Sequence, residues 1–183
     1  NEKWGFVNKK GEVVINPQFS YANNFSDGLC AVENDDGKWG FIDKDGKIVI
    51  NYQFTDIDKR FNRFKNGKCV VNLNGKSGVI NTEGKYIINP QFDDMVADGD
   101  LFMVEQGGKW GWSDTDGKLL INPQFKRAHP FNGSKMAAVR SGKSWGYIDE
   151  DGKFFINPQF DYALPFMGNL AFVRNGGKWG FID

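Results

Sequence analysis

The sequence is poor in the residues that build metal centres and disulfide frameworks. Its 183 residues include one histidine, His129, and two cysteines, Cys30 and Cys69. A single histidine excludes metal sites and general-base catalysis that depend on several histidines. Two cysteines in a chain of this length do not make a disulfide framework. We therefore expect no bound metal and no other cofactor.

The sequence also lacks an excess of charge and a long hydrophobic run. Its 23 basic and 23 acidic side chains cancel, and the isoelectric point is near 6.8. A nucleic-acid-binding protein needs a basic stripe that displaces counterions from phosphates, so nucleic acid is excluded as a partner. No run of about 18 apolar residues occurs, so no segment is predicted to span a membrane.

Glycine and phenylalanine, by contrast, are abundant, with 23 and 17 residues respectively, and both recur at fixed intervals. Trp-Gly pairs begin at positions 4, 39, 110, 145 and 179, and Ser77-Gly78 takes the same place in the third copy. The intervals are 35, 38, 33, 35 and 34 residues. The chain is therefore one repeat domain, with repeats starting near 3, 38, 76, 109 and 144 and a partial sixth from 178. It begins and ends within the same motif, as expected of a segment cut from a longer array.

Each period contains the same series of sequence signals. The Trp-Gly pair leads into an acidic or Asn-containing turn that ends in Gly, and an apolar run then continues into Ile-Asn-Pro-Gln-Phe. In the second copy Tyr52 replaces the proline. This pattern resembles the bacterial WG-repeat family, also called KWG repeats, over essentially the whole chain. The resemblance implies a β-repeat protein with a role in binding.

The local patterns predict an all-β fold of short antiparallel strands. The x-Asp-Gly-Lys segments are typical of hairpin turns, and the runs beside them are rich in strand-forming residues. We expect three strands per period: the apolar run before the tryptophan, the Trp-Gly segment, and the run into Ile-Asn-Pro, where proline ends the ladder. The segment after Gln-Phe, such as residues 161–166, is compatible with a single helical or 3₁₀ turn.

The outer strands of this unit are apolar on both faces, as in Leu119-Leu120-Ile121. Such strands need cover on both faces, which only neighbouring repeats can supply. The predicted architecture is therefore a stack of three-stranded antiparallel repeats of about 35 residues in an open superhelical array. A closed propeller of about five blades is the alternative. The sequence contains six strands of the Trp-Gly type but five of each of the other two types. A closed ring would need equal numbers, so the count favours the open array.

Length varies in only one connection of the repeat. The Trp position and the Phe of Gln-Phe are 15 residues apart in all five copies, whereas the next Trp position follows that Phe after 20, 23, 18, 20 and 19 residues. Variable loops on a rigid scaffold are where binding residues accumulate. The candidate partner-binding residues in these loops are Lys59, Arg60, Arg63, Asp93, Asp94, Lys126, Arg127 and His129. The competing interpretation is that charged surface residues vary freely between copies once packing is secured. His129 is expected to be a surface residue.

Two functions from different classes fit these features. The first is a non-catalytic scaffold that binds a protein or peptide through the variable loops. The second is a glycan- or cell-wall-binding module that uses aromatic side chains, the tryptophans among them, together with Asn or Asp side chains. Because the tryptophans recur at one fixed position, we expect them to pack in the core, with the adjacent glycine allowing close approach of backbone. No nucleophile elbow, phosphate-binding loop or metal cluster is recognisable, so no catalysis is predicted.

Two further patterns have structural interpretations. The Asp-x-Asp-Gly segments resemble the opening of a calcium loop, but a lysine follows where further oxygen ligands are needed, so we expect simple turns. Cys30 and Cys69 take the same place in successive repeats, where later copies have Ala137 and Ala171. This favours a small buried position and neither a redox site nor a disulfide.

Overall fold

The computed structural model describes residues 2–55 and 63–183, and within them the chain forms twenty β-strands and no helix. The strands are β1 (Trp4–Val7), β2 (Val13–Phe19), β3 (Tyr21–Ala22), β4 (Cys30–Glu33), β5 (Trp39–Ile42), β6 (Ile48–Phe54), β7 (Lys68–Leu73), β8 (Lys76–Asn81), β9 (Tyr86–Phe92), β10 (Asp94–Asp98), β11 (Leu101–Gln106), β12 (Lys109–Ser113), β13 (Leu119–Phe125), β14 (Arg127–Ala128), β15 (Ala137–Ser141), β16 (Ser144–Ile148), β17 (Phe154–Phe160), β18 (Tyr162–Met167), β19 (Leu170–Asn175) and β20 (Lys178–Ile182). The predicted all-β repeat fold is confirmed.

The strands form a series of antiparallel sheets in which neighbours in sequence are neighbours in space. We number them sheet 1 (β1-β2), sheet 2 (β3 to β6), sheet 3 (β7 to β9), sheet 4 (β10 to β13), sheet 5 (β14 to β17) and sheet 6 (β18 to β20). None of these sheets closes on itself within the described ranges. The chain divides into two compact units, residues 1–91 and 92–183.

A full sheet has four strands, one more than the sequence predicted. The extra strand comes first in the sheet and is formed by the segment after Gln-Phe, for which a helical turn was considered. A single residue separates it from the fourth strand of the preceding sheet. The backbone N–H of this residue donates to the carbonyl at the end of the second strand, as from Lys126 to Arg140 at 3.2 Å and from Asp161 to Arg174 at 2.8 Å. This bond fixes the segment as an edge strand, which its sequence alone does not reveal.

The strand with the Trp-Gly pair lies beside a bulge in the following strand, formed by the Asn-Pro-Gln segment. We call this bulge the arch. Trp110 pairs with Phe125 and Trp112 with Ile121, so one residue on β12 faces three on β13. A Cβ on the intervening Gly111 would lie 2.3 Å from the Ile121 carbonyl oxygen. Because glycine has no side chain, the bulged Asn-Pro-Gln backbone can approach it closely, as expected from the sequence. The prediction that proline ends the ladder was wrong, because the bulge lifts proline out of the ladder and pairing resumes at phenylalanine.

The turns between the third and fourth strands are closed by the first residue of each Asp/Asn-x-x-Gly segment. The Asp43 carboxylate accepts bonds from the backbone N–H groups of Asp45 and Lys47 at 3.0 and 2.9 Å. Gly46 has a φ of +81°, which glycine adopts without strain. The same pattern occurs at Asn8, Asn81, Asp114 and Asp149. These Asp and Asn side chains therefore act as turn caps.

In each unit the core lies between adjacent sheets, as the apolar strands predicted. In the first unit one cluster joins sheets 1 and 2, and another joins sheets 2 and 3 around Trp39, Phe41 and Phe54. In the second unit Trp112 lies between sheets 4 and 5, and Tyr147 between sheets 5 and 6. The sheets thus stack through shared side chains and are not separate cores.

Candidate binding surfaces

Four of the five variable connections are each fixed to the preceding sheet by one aromatic contact. In each case the aromatic residue after Trp-Gly packs against a phenylalanine from the following connection, with ring centroids 4.9 to 5.2 Å apart. The pairs are Phe6 with Phe25, Phe41 with Phe64, Trp112 with Phe131, and Tyr147 with Phe166. These loops differ in length, but each is held to its sheet at the phenylalanine. The exposed residues near that phenylalanine therefore have a defined position.

Hydrogen bonds also join successive connections to one another. In the first unit the Ser26 hydroxyl donates to the Phe64 carbonyl at 2.5 Å, and the Gly67 N–H donates to the Asp27 carboxylate at 2.8 Å. In the second unit the backbone N–H groups of Phe131 and Asn132 donate to the Asp98 carboxylate at 2.7 and 2.8 Å. The connections consequently form a continuous side of each unit.

The acidic candidates Asp93 and Asp94 lie at the start of sheet 4. The Asp93 carboxylate accepts the Gly107 N–H at 2.7 Å, so this side chain caps the turn between β11 and β12. Asp94 lies directly opposite Glu105 in the ladder of β10 and β11. The pKa of Glu105 is raised, first by partial burial and then by the charges of Asp94 and Asp93. Three carboxylates are thus gathered at one end of this sheet.

The basic candidates lie at the corresponding place in sheet 5. Arg127 is directly opposite Arg140 in the ladder of β14 and β15, and Lys126 is the exposed residue just before that pair. The buried Nε of Arg140 has no hydrogen-bond partner within the described residues. Sheets 4 and 5 therefore carry an acid–acid pair and an Arg–Arg pair at the same ladder position. We call these two sets the charged pairs.

His129 lies two residues beyond Arg127 and is half-buried, which corrects the expectation of a surface residue. Its ring stacks on Trp145 at a centroid distance of 5.2 Å and 24°, and Tyr162 meets it edge-on at 6.2 Å. Burial lowers the pKa of His129 below 6.5, so the ring is neutral at pH 7. This histidine supports the aromatic packing beside the Arg–Arg pair.

The remaining candidates belong to the longest connection. Arg63 is exposed just before the buried anchor Phe64. Lys59 and Arg60 lie outside the described residues.

Sequence reasoning missed the opposite members of the charged pairs, Glu105 and Arg140, because they lie in the regular second strand. It also gave no role to Asp98, which is 4% exposed and accepts three hydrogen bonds, from the Trp112 indole, Phe131 N–H and Asn132 N–H. The available signal for Asp98 was its position six residues after the Phe of Gln-Phe, where three other copies have the anchoring phenylalanine.

The tryptophans are mostly core residues where sheets cover both sides. Trp39 and Trp145 are 2% and 3% exposed, whereas Trp4 and Trp179, in sheets 1 and 6, are each 49% exposed. The expectation that these side chains pack in the interior holds for Trp39 and Trp145, whereas Trp110 is half-buried. A continuous row of exposed tryptophan platforms is therefore not present among the described residues.

No group of three or more His, Cys, Asp or Glu side chains could hold a metal ion in residues 2–55 and 63–183. Cys30 and Cys69 are free, buried thiols, and burial raises the pKa of each to about 12. Within the described segments no helix is long and apolar enough to cross a membrane.

Comparison with known proteins gives a family match over nearly the whole chain. The segments 4–39, 39–76, 78–110, 110–143 and 145–179 each match the family model described as WG containing repeat. No curated protein matches the sequence significantly.

Among solved structures, the chain is similar to the computationally designed Ika8 protein, with a TM-score of 0.52, 9% identity, and coverage of 94% of this chain and 62% of that one. It is also similar to BamB from Moraxella catarrhalis (TM-score 0.47, 8% identity, 93% and 63% covered) and to the WD40 β-propeller domain of Doa1 (0.42, 10%, 93% and 71%). The chain thus spans less than two thirds of the length of Ika8 and BamB.

Proposed function

The chain belongs to the WG-containing-repeat family, and on this basis we propose that it is a non-catalytic scaffold that binds a protein or peptide. The observation that carries the proposal is the arrangement of the charged pairs. Asp94 faces Glu105 and Arg127 faces Arg140, at the same ladder position of two successive sheets in the second unit.

Like charges directly opposite one another destabilise a sheet. At the same ladder position, sheet 2 pairs Tyr21 with Glu33 and sheet 6 pairs Tyr162 with Arg174, so the fold does not require like charges there. In sheet 5 the buried Nε of Arg140 has no hydrogen-bond partner within the described residues, so a carboxylate of a bound partner would remove the repulsion between Arg127 and Arg140. Relief of this repulsion would favour binding of the peptide. Unconstrained variation of surface residues, by contrast, does not explain why two sheets have like-charged pairs at the same ladder position.

The partner that fits is an extended segment with a basic group and an acidic group. Its basic group would meet Asp94 and Glu105, and its carboxylates would meet Arg127 and Arg140, where guanidinium groups bind carboxylates in bidentate geometry. Of the other candidates, Lys126 adds positive charge beside the Arg–Arg pair. Arg63, Lys59 and Arg60 belong to the first unit and would serve a second contact.

A display experiment tests this proposal directly. A random peptide library is selected on the immobilised chain, and the enriched peptides are measured against Asp94→Lys, Arg127→Glu and the control Lys44→Glu, which changes an exposed turn residue far along the chain. We expect peptides with both charge signs, more than tenfold weaker binding to the first two variants, unchanged binding to Lys44→Glu, and weakening by salt. Enriched peptides that bind all the variants equally, or a selection that yields none, would contradict the proposal.

A glycan-binding function based on tryptophan platforms has less support. Trp4 and Trp179, in the first and last sheets, are the strongly exposed tryptophans, whereas Trp110 is half-buried and Trp39 and Trp145 are buried. Stacking on a sugar ring needs an exposed aromatic face, so these buried side chains cannot supply a continuous glycan site.

A further inference from the structure

The fourth strands carry an exposed row of side-chain amides that the fold does not explain. Every Ile-Asn-x-Gln-Phe segment keeps its Asn and its Gln, and all ten side chains are exposed. We call them the amide row: Asn16, Gln18, Asn51, Gln53, Asn89, Gln91, Asn122, Gln124, Asn157 and Gln159.

Backbone geometry does not require these residue types. Among the described residues, the non-glycine positions with positive φ are Asp27, Asn66, Asn74 and Asn132, and none belongs to the amide row. Asparagine is therefore not needed for a left-handed conformation in the arch.

Internal hydrogen bonding does not require them either. In the described part of the chain the amide row makes one side-chain bond, from Gln18 to the Asn16 carbonyl at 3.3 Å. By contrast, the Asn and Asp side chains of the turns each accept two backbone bonds, which explains why they recur.

Recent copying of the repeat does not explain the row, because nearby exposed positions differ between copies. The residue after Gln-Phe is Ser20, Thr55, Asp93, Lys126 or Asp161. The residue two positions before the Asn also differs. In four copies it is an exposed apolar residue: Val14, Val49, Leu120 or Phe155. Surface positions have therefore diverged around an Asn and a Gln that stay the same.

We propose that the amide row is a binding site for a neutral polysaccharide. A ligand that meets the same two side chains in each successive sheet must itself repeat, which a polysaccharide does and a peptide of mixed sequence does not. Packed sheets lie about 10 Å apart, so the row offers one Asn–Gln set per such step within each unit. The first unit carries three sets and the second carries two.

The chemistry of the row fits an uncharged, hydroxyl-rich chain. Each amide offers one acceptor and two donors, which match sugar hydroxyls, and the row itself contains no charge. In four of the five copies the exposed apolar residue two positions before the Asn supplies a surface for the carbon–hydrogen face of a sugar ring. Phe155, at 72% exposed, is the largest such surface.

This site is distinct from the one in the proposed function. The charged pairs lie on the first and second strands of a sheet, whereas the amide row lies on the fourth, which is the opposite edge. The two proposals therefore stand or fall separately.

Affinity electrophoresis and calorimetry with defined neutral glycans provide the test. The panel contains β-1,4-glucan, β-1,3-glucan, xylan and mannan, each also as oligosaccharides of two to six sugars. We expect retardation by at least one member and an affinity that rises with chain length, because successive sets bind one chain. The double variant Asn51→Ala, Gln53→Ala should weaken binding at least tenfold, and a variant that lacks all ten amides should not bind.

Matched variants separate binding from folding. Lys47→Ala changes an exposed residue beside the same strand and should leave binding unchanged. Because the amides are exposed and almost unbonded, the double variant should unfold at the same temperature as the parent chain. The inference is overturned if no glycan of the panel binds, if the amide variants bind equally well, or if the amide row instead binds extended peptides.

Discussion

The indole Nε1 of Trp112 donates a hydrogen bond of 3.0 Å to the buried carboxylate of Asp98. Both residues depart from the repeat, since other copies have Phe, Tyr or Val in place of Trp112 and three have Phe in place of Asp98. The same carboxylate accepts the N–H groups of Phe131 and Asn132 at 2.7 and 2.8 Å. Asp98 therefore joins its own sheet to the next connection by hydrogen bonds, in addition to the aromatic contact between Trp112 and Phe131.

Removing this carboxylate should be costly. Asp98→Ala leaves three donors without a partner, two of them backbone groups, and should lower the free energy of unfolding by about 3 kcal/mol. Trp112→Phe, which restores the residue of other copies, should cost about 1–2 kcal/mol through one lost bond. Urea unfolding of both variants and their combination measures this, and the double variant should lose less than the sum. Strict additivity would show that the bond contributes no coupling.

The facing residues Phe102 and Ser113 should be coupled through their sizes. The same ladder position pairs a small residue with Ile in other sheets: Cys30 with Ile42, Cys69 with Ile80, Ala137 with Ile148, and Ala171 with Ile182. Ser113→Ile alone should overpack the site and cost about 1–3 kcal/mol. Adding Phe102→Ala should recover most of that loss in thermal unfolding.

Ser113→Ala serves as the control for this pair. The Ser113 hydroxyl is buried and has no partner within the described residues, so its removal should be neutral or slightly stabilising. A marked loss of stability on Ser113→Ala would show that the hydroxyl has a partner after all.

The glycine of the Trp-Gly pair should tolerate a methyl group only where the arch is missing. A Cβ at Gly111 would lie 2.3 Å from the Ile121 carbonyl oxygen, whereas a Cβ at Gly180, in the sheet without a fourth strand, would meet nothing within 4 Å. Gly111→Ala should therefore cost about 3 kcal/mol through forced backbone movement, and Gly180→Ala should cost little. Equal melting temperatures for the two variants would argue against the arch.

The two thiols should be inert in the folded chain and should weaken the fold at alkaline pH. Burial raises the pKa of Cys30 and Cys69 from 9.0 to about 12, and both are almost fully buried. Because the unfolded thiols ionise first, their contribution to stability is complete below pH 9.0 and is lost as pH rises toward about 12. A thiol reagent should modify neither residue until the chain unfolds.

The variant Cys30→Ala, Cys69→Ala, with the alanine found in later copies, is the reference for this effect. Its stability should fall less steeply with pH than that of the parent chain between pH 9.0 and about 12. Identical slopes would mean that the thiols do not contribute.

The sequence by itself determined the features that depend on contiguous residues. The repeat phase, the Asp43-type turns and the predicted strands follow from local composition, since a turn is closed by a side chain and backbone groups at most four residues apart. The location of the core between sheets also followed, because strands that are apolar on both faces need two covers.

Only the tertiary structure decided what lies opposite what. Asp94 and Glu105, Arg127 and Arg140, and Phe102 and Ser113 are joined by ladder register, which is set by connections of unequal length. The extra first strand of a full sheet and the arch likewise depend on bonds to distant backbone. Local patterns encode turns and strand propensity, whereas register and bulges arise from many weak contacts satisfied together, so the candidate surfaces became visible only in the folded chain.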